Sequence, residues 1–255
     1  MKKALQTLLL LVALVLPGAL RAQTLTICDG TTTNQYVPVY GFYADAYLRA
    51  QMLYPSDSLV DMQGNSILAL TFYTSQPSTS MLTSTFEVRM GVVTDSSLYG
   101  YSSANTTVVY TGPLATNGPT MMISIPNGFE YPAEGGNLLI EVNSLSSGNY
   151  SQCYWYGIEA TNMSYSGYSY SSASAATSVA RNFLPKVTFA YGATPTCFYP
   201  NDIAASAITA NNVTLSWTPA DGESAWNVVV SDTAITDFSG LTLENAYDTA
   251  YTVTG

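Results

Sequence analysis

The sequence predicts an all-β protein: a jelly-roll-like β-sandwich followed by a smaller, incomplete sandwich. Apolar and polar residues alternate over 43–54 and 86–92, which is the two-residue period of a strand with one buried face. Turn residues such as Gln63-Gly64-Asn65 and Pro126-Asn127-Gly128 separate these segments. No window carries a sustained apolar stripe with a 3.6-residue period, so no amphipathic helix is expected.

The composition excludes several classes of function. The chain has 255 residues, with 17 acidic and 7 basic side chains, 20 tyrosines and no histidine. Its net charge of −10 disfavours nucleic acid and anionic lipid as partners, because both require clustered Lys and Arg. Without histidine there is no Ser-His-Asp or Cys-His relay and no His-ligated metal. Carboxylate-based glycoside hydrolysis and oxygen-ligated calcium remain open.

Residues 1–22 have the organisation of a secretory signal peptide. Two lysines precede an apolar run over 8–16, Pro17-Gly18 breaks the run, and Ala22 is a small residue before the expected cut. The run is about half as long as a membrane span requires. We therefore expect the mature chain to be secreted or displayed on the outer cell surface, without membrane insertion. It would keep four basic residues against 17 acidic ones, a formal charge of −13.

Further short segments between the signal peptide and residue 191 are predicted as strands. They are 25–28, 67–74, 107–111, 121–125, 138–143, 152–158 and 187–191. Together with 43–54 and 86–92, they give the unit over 23–191 enough strands for a jelly-roll-sized sandwich with a substantial core.

The three cysteines leave the disulfide pairing open. Cys28, Cys153 and Cys197 are odd in number, so at most one bridge forms within the chain. Export makes a bridge chemically permissible. A pair between Cys28 and Cys153 would join the first strand to a late one. The alternative is that the cysteines are buried and unpaired, and act as small apolar side chains.

Residues 192–198 form a linker by composition, and a second β unit over 199–255 follows. Val213, Leu215 and Trp217 share one face of a predicted strand, and 226–231 and 249–254 supply further strands. This unit resembles a fibronectin type III domain, with the strand that ends at Trp217 similar to that family's second strand. The resemblance implies a sandwich that here lacks its last two strands and the corner tyrosine. We therefore expect the 255 residues to be a fragment of a longer secreted protein, with a marginally stable C-terminal unit.

The larger unit also resembles a known kind of domain. The segments 26–30, 36–41, 45–47 and 181–186 have the sequences TICDG, YVPVYG, DAY and RNFLPK. They are similar to a domain that recurs in secreted proteins of Bacteroidetes, often before fibronectin-like repeats and a C-terminal secretion and anchoring domain. It is more distantly similar to jelly-roll modules in the adhesin regions of gingipain-type proteins. The resemblance implies a surface module and brings no catalytic residues.

The densest aromatic segment is 150–170, with six tyrosines and one tryptophan. On a strand over 152–158, Tyr154 and Tyr156 share one face and Trp155 takes the other, so we expect Trp155 to be buried. Three further tyrosines are expected on an adjoining loop. Such rings stack on sugars or anchor protein interfaces, or alternatively pair across strands and cover a serine-rich loop. The predicted ligand-binding residues are Tyr154, Tyr156, Tyr165, Tyr168 and Tyr170.

Four aspartates in the first third of the chain are candidate ligands of a structural calcium ion. They are Asp29, Asp45, Asp57 and Asp61. Calcium takes six to eight oxygens, which carboxylates and carbonyls on sandwich loops supply. The chain has no DxDxDG loop, and the alternative is an acidic rim that faces solvent. No other cofactor is predicted.

Because the chain has no histidine, a pair of carboxylates is the one catalytic arrangement that the composition leaves open. Glu141 shares a predicted strand face with Leu139 and Asn143, where Glu87 or Glu159 would be its partner in glycoside hydrolysis. The spacing specifies no such pair, so we predict that the chain is not an enzyme. A small glycosidase that uses Glu141 is the alternative.

Together these observations predict an adhesin-like binding protein that recognises an extracellular carbohydrate or a host or matrix protein. The alternative is the non-catalytic accessory region of a larger secreted hydrolase, a peptidase or a glycosidase, whose catalytic domain lies beyond residue 255.

Overall fold

The computed structural model describes residues 23–76, 82–195, 200–209, 211–219, 223–229 and 244–254. The predicted signal peptide, Cys197 and the last three residues of the predicted linker lie outside these ranges. The described residues are all-β, as the sequence predicts, and contain no α-helix. Accordingly, none of them belongs to a helix of the length and hydropathy that crossing a membrane requires. Short 3₁₀ turns lie at Gly41–Tyr43, Ser56–Ser58, Val60–Met62 and Ala173–Ala175.

The strands are numbered in chain order. They are β1 (Gln23–Ile27), β2 (Thr32–Asn34), β3 (Tyr47–Tyr54), β4 (Asn65–Gln76), β5 (Leu82–Val93), β6 (Thr107–Leu114), β7 (Thr120–Tyr131), β8 (Asn137–Ser144), β9 (Tyr154–Glu159), β10 (Ser164–Ser169), β11 (Val179–Ala180), β12 (Phe183–Pro185), β13 (Val187–Gly192), β14 (Asn201–Ser206), β15 (Asn212–Thr218), β16 (Trp226–Val228), β17 (Glu244–Ala246) and β18 (Ala250–Thr254).

The strands from β1 to β13 form two antiparallel sheets. The seven-stranded sheet has the order β1-β13-β4-β9-β12, with β7 beside β4 and β2 beside β9. The six-stranded sheet has the order β11-β10-β3-β8-β5-β6. Strands far apart in the chain are neighbours in space: Gln23 at the start of β1 lies opposite Tyr191 of β13.

The hydrophobic core lies between these two sheets. Phe72, Trp155 and Phe189 of the seven-stranded sheet are fully buried together with Met52 and Phe86 of the six-stranded sheet. Burying side chains of this size contributes about 1.5–3 kcal/mol each. The alternation that predicted the strands is confirmed, since inward and outward residues follow the two-residue period.

One observed strand is shorter than the strand that the apolar alternation predicts. The sequence predicts a strand over 43–54, but β3 begins at Tyr47, after the 3₁₀ turn at Gly41–Tyr43. The amides of Ala44 and Ala46 donate to carbonyls three residues earlier, at 3.1 and 2.9 Å, so this stretch is hydrogen-bonded within itself. Both alanines are buried, which is why the apolar alternation continues through a turn.

The outer face of the six-stranded sheet is partly covered rather than fully solvated. Leu53 of β3 and Leu139 of β8 point away from the main core and pack with Leu98 of the loop between β5 and β6. In that loop, the Ser102 amide donates to Gln51 Oε1 at 2.7 Å, and Gln51 Nε2 donates to the Ser102 carbonyl at 3.1 Å. The loop therefore forms a small second core on this face.

Strands β14 to β18 form two smaller sheets, β14-β15-β18 and β16-β17. Among the described strands, none of this second unit pairs with a strand of the first. Trp217 of β15 is 9% exposed and meets Trp226 of β16 edge to face, with ring centroids 5.4 Å apart.

Cys28 and Cys153 do not form a disulfide with each other. Both belong to the hydrophobic core of the first unit, Cys153 fully and Cys28 partly buried. Burial raises the pKa of the Cys28 thiol to about 11. A pair between these two cysteines, which the sequence left open, is therefore not formed, and Cys28 contributes to the core as a small apolar side chain.

Candidate functional site

Hydrogen bonds to its backbone carbonyls hold the segment 36–46 against the rest of the first unit. The amide of Ser151 donates to the Gly41 carbonyl at 3.0 Å, and that of Gly148 donates to the Ala44 carbonyl at 2.6 Å. From within the core, the Trp155 indole donates to the Val39 carbonyl at 3.1 Å. These bonds bring the aromatic side chains of 36–43 beside the loop that leads into β9.

Seven aromatic rings form one connected surface at this place, which we call the aromatic cluster. Each ring contacts at least one other, with ring centroids 4.0 to 6.5 Å apart. The cluster comprises Tyr36, Tyr40, Phe42, Tyr43, Tyr150, Tyr168 and Tyr170.

The centre of the cluster is a stacked pair. The rings of Tyr43 and Tyr168 lie parallel, with centroids 4.0 Å apart and planes 6° from each other. Tyr40 meets both rings edge to face. A hydrogen bond with Tyr168 raises the pKa of Tyr43, so its hydroxyl stays protonated. Tyr168 lies on β10 opposite Leu48 of β3, so the stack is fixed to the six-stranded sheet.

Three rings of the cluster are open to solvent. Tyr170 is 68% exposed, Tyr150 57% and Phe42 43%. Phe42 contacts Tyr150 at 5.6 Å between centroids, and Tyr170 meets Tyr168 edge to face at 5.8 Å. Large apolar rings that are exposed and adjacent indicate a contact surface, whereas singly exposed rings need no explanation.

Arg181 lies at one end of the cluster. Its guanidinium carbon is 3.9 Å from the centroid of the Tyr36 ring and 5.5 Å from that of Tyr40. Its Nε donates to Ser166 Oγ at 2.9 Å, and a terminal nitrogen donates to the Ser166 carbonyl at 3.0 Å. Burial lowers the pKa of Arg181, but an arginine remains charged at neutral pH. One face of Tyr36 is therefore already occupied by a cation.

Asp45 lies beside the exposed rings. A hydrogen bond between the Tyr150 hydroxyl and this carboxylate raises the pKa of Tyr150. The negative charge of Asp45 also raises the pKa of Tyr43. Oδ1 of the carboxylate is buried, and no described protein group donates a hydrogen bond to it.

The structure places two of the five predicted ligand-binding tyrosines, Tyr168 and Tyr170, in the aromatic cluster. Tyr154 and Tyr156 are half-buried on β9, on the opposite side of that strand from Trp155, which is fully buried as predicted. Tyr165 packs in the small second core on the outer face of the six-stranded sheet. The five do not form one surface.

The predicted loop at 165–170 is wrong in part. Tyr165 and Tyr168 lie on β10, which pairs with β3, and only Tyr170 follows the strand. The buried positions of β10 are Ser164, Ser166 and Gly167, so the strand has no apolar alternation that would reveal it. β10 is therefore stabilised by its pairing with β3 rather than by burial of large apolar side chains.

Sequence reasoning missed most of the cluster. The segment 36–43 carries four of the seven rings in eight residues, a higher aromatic density than the seven in 21 residues of 150–170, but none of the predicted binding residues lies in it. Tyr150 belongs to the dense segment 150–170 but is not among the five predicted residues. The density of aromatic residues along the whole chain is the signal in the sequence that points to both segments of the cluster.

The four candidate calcium ligands occupy different surroundings. Asp29 forms an ion pair with Lys186 at 2.5 Å, and Asp45 belongs to the aromatic surface. Asp57 and Asp61 are exposed on consecutive 3₁₀ turns. Over the ranges that the structure describes, no three carboxylates or thiols come together as metal ligands.

Glu141, the candidate catalytic carboxylate, is buried and its oxygens are occupied. Arg49 donates to Oε2 at 2.8 Å, Gln51 donates to the same oxygen, and Asn143 donates to Oε1 at 2.5 Å. Glu87 is instead paired with Arg89 at 3.0 Å. The contacts of Glu141 are those of a structural ion pair on the outer face of the sheet.

The site therefore offers seven rings in mutual contact, three of them exposed, with Arg181 and Asp45 as charged neighbours. Comparisons of the chain with protein-family models, with curated proteins and with solved structures found no match.

Proposed function

We propose that this is an adhesin-like binding protein, secreted or displayed at the outer cell surface, that recognises an extracellular carbohydrate or a host or matrix protein. The observation that carries the proposal is the aromatic cluster, in which seven rings contact one another while Phe42, Tyr150 and Tyr170 stay exposed. Exposing such rings to water is unfavourable unless a partner covers them.

The arrangement favours binding because the rings are already held in place. Stacked and edge-to-face contacts fix Tyr43, Tyr168 and Tyr40, and backbone hydrogen bonds fix the segment that carries two of them. A tyrosine ring has few rotatable bonds, so little conformational entropy is lost when a ligand covers it. A preorganised surface keeps more of the contact energy as affinity.

The test is binding of the full chain to an array of extracellular polysaccharides and matrix proteins. The double variant Tyr150→Ala/Tyr170→Ala should weaken binding about tenfold or more, since each lost ring contact is worth about 0.5–1.5 kcal/mol. Both residues are exposed, so the fold should be unaffected. Affinity is measured by isothermal titration calorimetry on the array hit.

Tyr99→Ala is the matched control, because Tyr99 is 86% exposed and lies outside the cluster. It should leave the affinity unchanged. If Tyr154→Ala/Tyr156→Ala abolishes binding while Tyr150→Ala/Tyr170→Ala does not, the ligand lies on the outer face of the seven-stranded sheet. The aromatic cluster would then not be the binding surface.

A further inference from the structure

We infer that the exposed rings of the aromatic cluster bind arginine side chains of a basic extracellular polypeptide. This inference rests on the proposed binding function and specifies the chemical class of the partner. It depends on where the chain holds its own cations, on which rings of the cluster stay uncovered, and on the sign of the surface charge.

The chain itself shows which group its tyrosine rings accept. Of the four basic side chains beyond residue 22, three lie over the face of a tyrosine ring. The charged groups are 3.9 to 4.6 Å from the ring centroids, in the pairs Arg181–Tyr36, Arg49–Tyr101 and Lys186–Tyr73. A cation in this position is attracted by the electron-rich face of the ring. Tyrosine faces are therefore cation sites in this protein.

One of these pairs belongs to the aromatic cluster. The guanidinium carbon of Arg181 is 3.9 Å from the Tyr36 ring centroid and 5.5 Å from that of Tyr40. A guanidinium is planar and weakly hydrated, so it stacks on an aromatic ring more readily than an ammonium does. Arg181 leaves the far end of the cluster free, because Tyr40 and Tyr168 lie between Tyr36 and Tyr170 in the series of ring contacts.

The exposed rings of the cluster have no cation of this chain over them. Phe42, Tyr150 and Tyr170 are 43%, 57% and 68% exposed. All four basic side chains beyond residue 22 belong to the described part of the chain, and none of their ring contacts is with these three residues. Their ring faces are thus available to a cation that a partner supplies.

The charge of the chain favours a basic partner. It has 17 acidic and 7 basic side chains and a net charge of −10. Within the described ranges, three basic side chains are already paired with carboxylates, in Arg49–Glu141, Arg89–Glu87 and Lys186–Asp29. A surface of one sign steers an oppositely charged partner toward it and repels polyanions. A basic polypeptide therefore satisfies both the long-range charge and the ring faces.

The experiment uses the full chain and four short peptides that differ in one repeated side chain. The first is built of Arg-Gly-Ser repeats, and the others have lysine, citrulline or glutamate in place of arginine. Citrulline keeps the shape of arginine and removes its charge. Affinity is measured by isothermal titration calorimetry. We expect the arginine peptide to bind most tightly, the lysine peptide more weakly, and the other two not measurably.

Matched variants separate ring contacts from general charge attraction, because none of them changes the net charge. Tyr150→Leu/Tyr170→Leu keeps apolar bulk and removes the ring faces, so it should weaken binding of the arginine peptide about fivefold to thirtyfold. Tyr150→Phe/Tyr170→Phe keeps the faces and should leave the affinity within about twofold. Tyr99→Leu, outside the cluster, should leave it unchanged.

Thermal unfolding of each variant checks that the fold is retained. If the double leucine variant unfolds, Tyr170→Leu replaces it, since Tyr170 is the most exposed ring of the cluster. This single change should weaken binding of the arginine peptide about twofold to fivefold. The comparison of the arginine and citrulline peptides needs no substitution in the protein.

Four results would overturn the inference. They are no binding of the arginine peptide, equal binding of the citrulline peptide, equal or tighter binding of the lysine peptide, and an affinity for the arginine peptide that the leucine variants leave unchanged. If a polysaccharide binds through Tyr150 and Tyr170 while the arginine peptide does not, the proposed function stands and the partner class is wrong. If Tyr150→Ala/Tyr170→Ala has no effect on any ligand, both proposals fail.

Discussion

Glu141 illustrates how an isolated carboxylate in a sequence becomes a structural residue in the fold. It is 6% exposed and lies directly opposite Gln51 of β3, on the outer face of the six-stranded sheet. Arg49, Gln51 and Asn143 all donate to it. None of these partners is near it in the sequence except Asn143, so the spacing of residues could not reveal the network.

Replacing Glu141 by Ala should destabilise the protein by about 2–4 kcal/mol, because the partly buried Arg49 and the buried Gln51 then lose an acceptor. Urea unfolding followed by far-ultraviolet circular dichroism measures the change. Glu87→Ala is the matched control: that carboxylate is 22% exposed and paired with one arginine, so its loss should cost less than about 1 kcal/mol. Equal costs would contradict a structural role for Glu141.

At the scale of elements, the 3₁₀ turn at Gly41–Tyr43 positions the aromatic cluster. It exposes Phe42 while Tyr43 stacks on Tyr168. Gly41 makes the close approach possible, because a Cβ at this position would collide with the carbonyl of Ser151. The two chain segments that carry Phe42 and Tyr150 therefore meet only if residue 41 has no side chain.

Gly41→Ala should separate these segments and lower the free energy of unfolding by about 1–3 kcal/mol, the usual cost of overpacking. The near-ultraviolet circular dichroism of the tyrosines should change as well, because their ring contacts depend on this approach. Thermal unfolding and the near-ultraviolet spectrum are the two measurements.

Gly64→Ala is the control for that variant. Gly64 has a φ of +70°, and a Cβ there meets only Ala133, at 3.8 Å. The variant should lose about 1 kcal/mol through backbone strain and leave the tyrosine spectrum unchanged. If Gly41→Ala also leaves the spectrum unchanged, the turn does not position the rings.

At the scale of the whole molecule, the two units differ in how much core they bury. The first unit packs two sheets around rings such as Trp155 and Phe72, which have no exposed area. The described residues of the second unit form a three-stranded and a two-stranded sheet, and Trp217 is the one buried residue of β15. Less buried area means a lower free energy of local unfolding.

Hydrogen exchange followed by mass spectrometry should therefore show faster exchange in β15 and β18 than in β3 and β8. The expected difference in protection is about tenfold or more, which corresponds to about 1.4 kcal/mol of opening free energy. The comparison needs no substitution, because both units are measured in the same sample. Equal protection in the two pairs of strands would show that the second unit is as stable as the first.

The sequence by itself determined the all-β class and most of the strand faces. Phe86 and Val88, Met52 and Trp155 could be assigned to the core in advance, because a strand turns successive side chains to opposite faces and the apolar residues keep that period. This information is local, so it needs no knowledge of the neighbouring strands. It failed where the alternation continued through the turn at 41–46 and where β10 buried serine and glycine instead of apolar residues.

Only the tertiary structure decided which aromatic residues form a surface. Tyr43 and Tyr168 are 125 positions apart in the sequence, yet their rings stack because β10 pairs with β3 and the turn that carries Tyr43 directly precedes β3. Tyr154 and Tyr156 belong to the same aromatic-rich segment as Tyr168 but lie on the other sheet. Long-range strand pairing sets these distances, so they cannot be inferred from the spacing of residues along the chain.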